Sequence, residues 1–443
     1  MKPNPVSLYF KYVSLNVLGM AALSCYILAD TFFVSRGLGA NGLTALNLAI
    51  PVYNLVNGTG LMLGVGGGAK YAVSKSRGDT AAQNRVFTNT LFLAAAFSAV
   101  FVAAGIFFSE NITSALGADS AVFAMTNMYL KVILLFSPAF LLNNIFVAFI
   151  RNDGNPKLSM AGMITGSLSN VLLDYIFIFP LDMGIFGAVF ATGLSPVISM
   201  CVLSAHKIRR KNDFHIARSA PSPKLGGAIC ALGIPSLVSE LSSGIVILVF
   251  NMIILRIAGN TGVAAYGVVT NISLVVIAVF TGVAQGMQPL VSEAHGRGDT
   301  GAQLKFFKYA VITVFGLCAV VYPCIFFFAD PIAAVFNSEN NALLQQIAVQ
   351  GLKLYFTGAL FAGFNIVAAM FFTARETPVP AHIISILRGL ALIVPAAFLL
   401  ARLFGLCGVW LSFTASESLC AVCSAALFAA LALKKRSLSK NKT

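Results

Sequence analysis

Twelve apolar runs, many of them about 20 residues long, dominate this sequence. They lie near 10–34, 45–69, 87–108, 128–150, 158–180, 184–205, 227–255, 263–289, 307–329, 346–373, 380–401 and 405–433. A helix of about 20 apolar residues spans the hydrocarbon core of a bilayer. The chain is 58% hydrophobic and only 10% charged, against roughly 25% charged in a soluble domain, and no water-soluble fold could cover so much apolar surface. We therefore expect an all-α polytopic membrane protein with twelve transmembrane helices. The first run is too long for a secretory leader and carries Asp30, so it reads as the first span.

Basic residues orient the spans. With the N-terminus in the cytoplasm, only Arg36, Lys131, Arg256, Lys353 and Arg402 of the 29 Lys and Arg face outward. The other 24, from Lys2 through Arg151 and Arg388 to Lys442, fall on the inner side. Cytoplasmic connections carry the excess of Lys and Arg, so both termini are expected inside a cell (plasma or inner) membrane. The net charge of +14 is accounted for in this way and not by nucleic acid. The basic connection HKIRRKNDFHIARSAPSPK, 206–224, reads as a linker near anionic lipid.

A short polar string recurs. RGDTAAQNRVF at 77–87 returns as RGDTGAQLKFF at 297–307, with seven of eleven positions identical and an offset of 220. Gly39 and Gly259, Gly42 and Gly262, and Arg36 and Arg256 match at the same offset. Six spans return a chain to its starting side, so the repeat is parallel, with both strings inside. Two six-helix bundles follow: 1–205 as the N-terminal lobe, 206–226 as a cytoplasmic linker, and 227–443 as the C-terminal lobe with a basic tail. Gly78 and Gly298 suit a left-handed helix end, and Asp79 and Asp299, or the Thr beside each, suit the next N-cap. The topology keeps both RGD tripeptides away from adhesion receptors.

Four carboxylates sit inside spans: Asp30, Asp174, Glu240 and Glu417. A charge at mid-bilayer costs about 2.5–3.5 kcal/mol on insertion scales, so each needs a partner or a function. For Glu417 a satisfied interhelical hydrogen bond is the expected reading. Ser167, Asn170 and Asp174 are spaced by three and four, which places them on one helix face, among Leu, Ile, Val and Phe. Desolvation disfavours the charged form of a carboxyl, so the cluster could load a proton. Its oxygens could equally ligate a small hard cation.

Other motifs carry less. Gly60, Gly64 and Gly68 in GTGLMLGVGGGAK form a small-residue packing stripe; no strand precedes them, so they are not a nucleotide loop. The eight cysteines, Cys420 and Cys423 included, lie in apolar runs and read as packing residues. No ATPase, GxGD, HExxH or rhomboid-like arrangement is present and the four His are scattered. The expectation is therefore a transporter drawing on an ion gradient, not an enzyme, with no cofactor.

The stretch ADTFFVSRGLGANGLTALNLAIP (29–51) resembles the signature of MATE multidrug and toxic compound extrusion transporters. So do SNVLLDYIFIFPLDMGIFGAVFAT (169–192), LGIPSLVSE (232–240), QGMQPLVSEAHGRGD (285–299) and LRGLALIVP (387–395). The resemblance implies alternating access between two lobes and efflux of cationic amphipathic compounds in exchange for H⁺ or Na⁺. It implies an ion site at Asp30, Asn170, Asp174 and Thr192, similar to the DinF-like branch. Asp30, Asn170 and Asp174 would hold the metal ion if Na⁺ couples. Substrate would meet Asp30, Asp174, Glu240 and Asn365. Partners would be such compounds and membrane lipid, with the chain acting as a monomer. Two departures stand out. Leu15 and Asn16 occupy the region where many members carry a proline, and the tenth helix offers Asn365 but no carboxylate. The alternative within the superfamily is a flippase or exporter of a lipid-linked saccharide or native metabolite, which a cavity-facing Arg or Lys would favour.

Overall fold

The structure is a computed structural model that describes residues 4–337 and 340–440; Lys2 and Lys442 of the charge pattern lie outside them. No strand occurs among the described residues. Among the described residues, nine helices are long and apolar enough to cross a membrane, and the bent pair Phe123–Leu135 and Ser137–Asn152 (48°) makes a tenth span. Two of these, Pro223–Gly296 and Pro378–Ala430, run to 74 and 53 residues, well over twice the length of about 20 that a bilayer needs. Each is broken by one glycine, Gly259 and Gly405, so each is two spans and the total is twelve.

We number the spans α1 (Pro5–Gly39), α2 (Asn41–Ser76), α3 (Thr80–Phe107), α4 (the bent pair), α5 (Pro156–Ile178), α6 (Gly184–Leu203), α7 (223–258), α8 (260–296), α9 (Thr300–Phe327), α10 (Ala342–Ala374), α11 (378–404) and α12 (406–430). Gly39 (φ 64°, ψ −159°) and Gly259 (φ 63°, ψ −161°) turn the chain back in the same way. That region is open only to glycine, so the repeat extends to backbone conformation. Gly78 and Gly298 both have φ 74°. Asp79 accepts from Ala82 N and Asp299 from Ala302 N, each at 2.8 Å. Asp, not Thr, caps the helix in both copies.

The repeat also governs how the halves meet. A Cβ on Gly233 of α7 would lie 1.9 Å from the Met62 carbonyl oxygen of α2, and one on Gly66 would lie 2.1 Å from the Ile229 carbonyl oxygen. In the other half, a Cβ on Gly286 or Gly282 of α8 would lie 2.7 Å from the Cα of Val13 or Val17 of α1. Gly66 and Gly286 differ by the repeat offset, as do Val13 and Gly233. The seam is therefore one contact used twice, α1 on α8 and α7 on α2, about an axis relating parallel halves. Gly60, Gly64 and Gly68 pack on α4, where their Cβ atoms would meet Asn144 and Asn152 within 3 Å.

One hydrophobic core gathers around Leu63, Leu130, Ile133 and Phe149, and another around Phe280, Phe371, Phe372 and Trp410. Tyr9, Tyr12 and Val13 at the start of α1 belong to the second core, and Ile229 at the start of α7 to the first. The entering turn of each half thus crosses to the other.

The connection after α6 is strapped to the first half. Gln83 donates to the Asp213 carbonyl, while Asn84, Thr88 and Asn89 accept from the backbone N–H of His215, Ala217 and Ser222, all at 2.7–2.8 Å. Phe214 is buried against Tyr71, Phe87 and Phe149. Lys207, Arg209, Arg210 and Lys211 remain exposed.

Beside this strap lies Asp153, whose side chain is fully buried. It pairs with Lys75 and accepts from Tyr71 Oη (2.5 Å), His206 Nε2 (2.8 Å) and Asp213 N (3.0 Å). Burial pushes its carboxyl up, but the hydrogen bonds from His206, Lys75, Tyr71 and the Asp213 backbone outweigh it and hold the group below its ordinary value. A depressed carboxylate stabilises the fold above its unfolded pKa and stops doing so as pH falls through the folded value. Thermal stability should accordingly be level above about pH 5 and fall below about pH 4. Asp153→Ala should cost roughly 2–4 kcal/mol, since it strips Tyr71, His206 and the Asp213 N–H of their buried acceptor. A melting curve in detergent showing Asp153→Ala as stable as the parent at pH 7 would contradict this.

Candidate functional site

The α5 helix starts at Pro156 with Asn155 capping Leu158 N (3.2 Å). Its outer face, Leu168, Leu172 and Tyr175, is more than half exposed, while Ser167, Asn170 and Asp174 are 4%, 0% and 0% exposed. The polar stripe faces inward, as its spacing predicted. Glycines set the approach of the next helix: a Cβ on Gly166 would lie 3.1 Å from Ser199 Cβ of α6. This places Thr192 beside Asn170, whose Nδ2 donates to Thr192 Oγ1 at 3.4 Å.

Asp30 of α1, 8% exposed, meets Asp174 side chain to side chain. Two carboxylates cannot bond each other without a shared proton or a cation between them. The surrounding oxygens reinforce that need. Asp30 Oδ1, both Asp174 oxygens, Asn170 Oδ1 and Ser167 Oγ are buried with no hydrogen-bond partner. Orphaned buried oxygens are costly, and a proton or a small hard cation would satisfy several at once. Asp30, Asn170, Asp174 and Thr192 are therefore brought together.

A cavity of about 420 Å³ lies between the halves, lined among others by Asp30, Tyr53, Glu240, Tyr266, Arg388 and Glu417. Asp30 reaches it; Asp174 and Asn170 lie behind and do not line it. The two carboxylates thus have different exposures, which spacing could not reveal. Glu240 of α7 lies against Asn57 of the first half, and its carbonyl oxygen accepts from Asn54 Nδ2 at 3.3 Å. Asn57 in turn accepts from Asn144 Nδ2 at 3.1 Å. Tyr26 and Tyr53 share a hydrogen bond (2.8 Å) in the same wall.

The second half supplies another cluster. Ser424 Oγ donates to Asn365 Oδ1 (3.1 Å), and Asn365 Nδ2 donates to Glu417 Oε2 (2.8 Å) and to the Glu417 carbonyl oxygen (2.9 Å). Arg388 Nε donates to Glu417 Oε1 (2.7 Å). Glu417 has the expected interhelical bond. Asn365 is 0% exposed with both ends of its amide engaged, so it braces Glu417.

Two residues of the charge pattern are not surface charges. Arg388 stands within α11, in the π turn Leu387–Ala391, and faces the cavity; an arginine inside an apolar run was the signal for it. Arg151, at the end of α4, is 1% exposed and donates to Asn16 Oδ1 and Gln285 Oε1, both at 2.8 Å. It joins α4, α1 and α8. Asn152 to Gln288 (3.1 Å) and Lys70 to Glu376 (2.9 Å) cross between the halves on the same side, where Gly296 meets Ser76. The halves are thus bonded together at the face carrying both RGDT turns. Asn16, where the resemblance led us to look for a proline, takes part in these contacts, and α1 is helical up to Gly39.

Residues 17–176 and 235–399 match the family model described as MatE. The chain is similar to the multidrug export protein MepA of Staphylococcus saprophyticus, 25% identical over 399 residues, covering 90% of this chain and 87% of that one. It is similar to MepA of Staphylococcus aureus, 27% identical over 400 residues with the same coverage. Among solved structures, a crystal structure of MATE in complex with MaL6 superposes with TM-score 0.92 at 24% identity, covering 100% of this chain and 98% of that one. A MOP superfamily transporter from Pyrococcus furiosus, described by the reverse polarity of its binding pocket, gives 0.89 at 24% identity, covering 96% and 95%.

Proposed function

The chain belongs to the MatE family of membrane transporters, and from that premise we propose that it is a multidrug antiporter exporting cationic amphipathic compounds in exchange for H⁺ or Na⁺. The observation that carries this reading is the partnerless Asp30–Asp174 pair, of which only Asp30 touches the cavity. A cationic drug in the cavity competes for Asp30 with the ion the pair requires. Ion and drug then favour different states, which is what exchange needs. Residues 1–205 and 227–443 act as the two lobes, rocking against each other so that the glycine seam at the RGDT face closes and parts, with the 206–226 linker strapped to the first. The basic residues favour cytoplasmic termini in the cell membrane. On that orientation the bonded RGDT face is the inner one, and the ion enters from outside. The protein works as a monomer in lipid.

Cavity polarity favours cations. Its lining includes three carboxylates, Asp30, Glu240 and Glu417, and one guanidinium, Arg388, which Glu417 neutralises. A single paired arginine does not make the basic cavity that a flippase for lipid-linked saccharides would need.

The test is uptake of ethidium, a permanent cation, into everted vesicles, with a proton gradient or a sodium gradient imposed alone. One of the two should raise the rate at least about tenfold, as a coupling free energy of 1–3 kcal/mol allows. Uptake indifferent to both gradients would defeat the antiport reading.

A further inference from the structure

Arg388 is only partly used by its partner. Its Nε bonds Glu417, and among the described residues no hydrogen bond is made by either terminal nitrogen. Those nitrogens are not buried orphans either; the side chain is 18% exposed and lines the cavity. Glu417 is held by Asn365, which lines the same cavity, and Asn365 by Ser424. The brace fixes the guanidinium plane and leaves its outer edge free, the edge that takes a carboxylate through two parallel N–H bonds. A π turn, frequent at functional sites, sets the arginine there.

A second donor stands next to it. A Cβ on Gly389 would lie 2.3 Å from Ser242 Oγ, so α11 and α7 touch beside Arg388. Ser242 is 3% exposed, its hydroxyl has no hydrogen-bond partner, and it lines the same cavity. Two residues before it on α7 is Glu240, a carboxyl on the same wall. We propose that Arg388 and Ser242 form a carboxylate subsite on the wall that carries Glu240, and that these two residues set how tightly the cavity takes a carboxylate-bearing amphipath relative to its uncharged-ester counterpart. This rests on the export reading above and names the residues that would set its specificity. Glu417 is a positioning residue for Arg388.

Rhodamine 110, which carries a free carboxylate on a cationic xanthene, and rhodamine 123, its methyl ester, differ at the one group the subsite would recognise. Binding of each to purified protein is read by fluorescence anisotropy, and export of each in everted vesicles. Arg388→Gln should weaken rhodamine 110 by about ten- to a hundredfold, as for hydrogen bonds to a charged group, and the ester by less than about threefold. Ser242→Ala should weaken rhodamine 110 alone, by about two- to tenfold. The double variant Arg388→Gln with Glu417→Gln removes the unpaired acid, and its affinity for the ester reports whether the cavity is intact. Equal effects on both dyes, or no effect on rhodamine 110 in either arginine variant, would overturn the subsite and leave the export reading standing. Failure of the unaltered protein to export either dye under any gradient would overturn both.

Discussion

Asp174→Asn should reduce gradient-driven export by at least about a hundredfold while changing ethidium affinity by less than about threefold. The amide matches the carboxylate in shape but can neither take up a proton nor neutralise a cation. The Asp30–Asp174 pair would lose the ion that ties it to the gradient. A hundredfold is within the roughly 1–3 kcal/mol of coupling that joins two sites in one protein. Binding should survive because Asp174 is fully buried behind Asp30 and does not line the cavity. Asp30→Asn should behave differently and lower both quantities, since Asp30 lines the cavity and meets Asp174. The measurement is export in everted vesicles beside equilibrium dye binding, with protein level checked by immunoblot. Full transport by Asp174→Asn at normal protein level would sink the assignment.

Gly233→Val should prevent the halves from closing at the RGDT face. Even a Cβ would lie 1.9 Å from the Met62 carbonyl oxygen and 2.6 Å from its carbon. These are backbone atoms of another helix and cannot rotate away. Overpacking of this kind costs about 1–3 kcal/mol or more. On the proposed rocking cycle it falls on the closed state alone, because α2 and α7 would part at this face in the other state. A bias of that size shifts a two-state equilibrium by about five- to a hundred-and-fiftyfold. The observable is labelling of a cysteine at Ser236, a cavity residue, by a membrane-impermeant maleimide in a cysteine-free background. Labelling from the RGDT side should speed up at least about tenfold, with export lost. Unchanged labelling together with normal export would show that the seam is not a gate.

Both expectations depend on features of different legibility. The Asn170–Asp174 stripe could be read directly, because a period of three and four in an otherwise apolar helix has one geometric meaning. That Asp30 joins it, and that of the two aspartates only Asp30 faces the cavity, depends on how α1 packs on α5. Arg388 and Arg151 were missed as structural residues because a charge tally treats every Lys and Arg near a span end as a loop charge. Arg388 instead meets Glu417, 29 residues further on, and Arg151 meets Asn16 and Gln285, over 130 residues away on either side. The linker's basic residues are exposed as their composition suggested, yet its backbone is held by four side chains of α3 whose pattern carries no such sign.

The sequence by itself determined the twelve spans, the parallel duplication, the capped turns and the polar face of α5. These follow from local quantities: the length of apolar runs, the period of polar residues, and glycine's freedom at positive φ. Tertiary structure alone decided which of the two paired aspartates reaches the cavity, which arginine is paired with a buried glutamate and which glycines let the halves touch. Those depend on distances between helices far apart in the chain, and no local pattern of residue types encodes them.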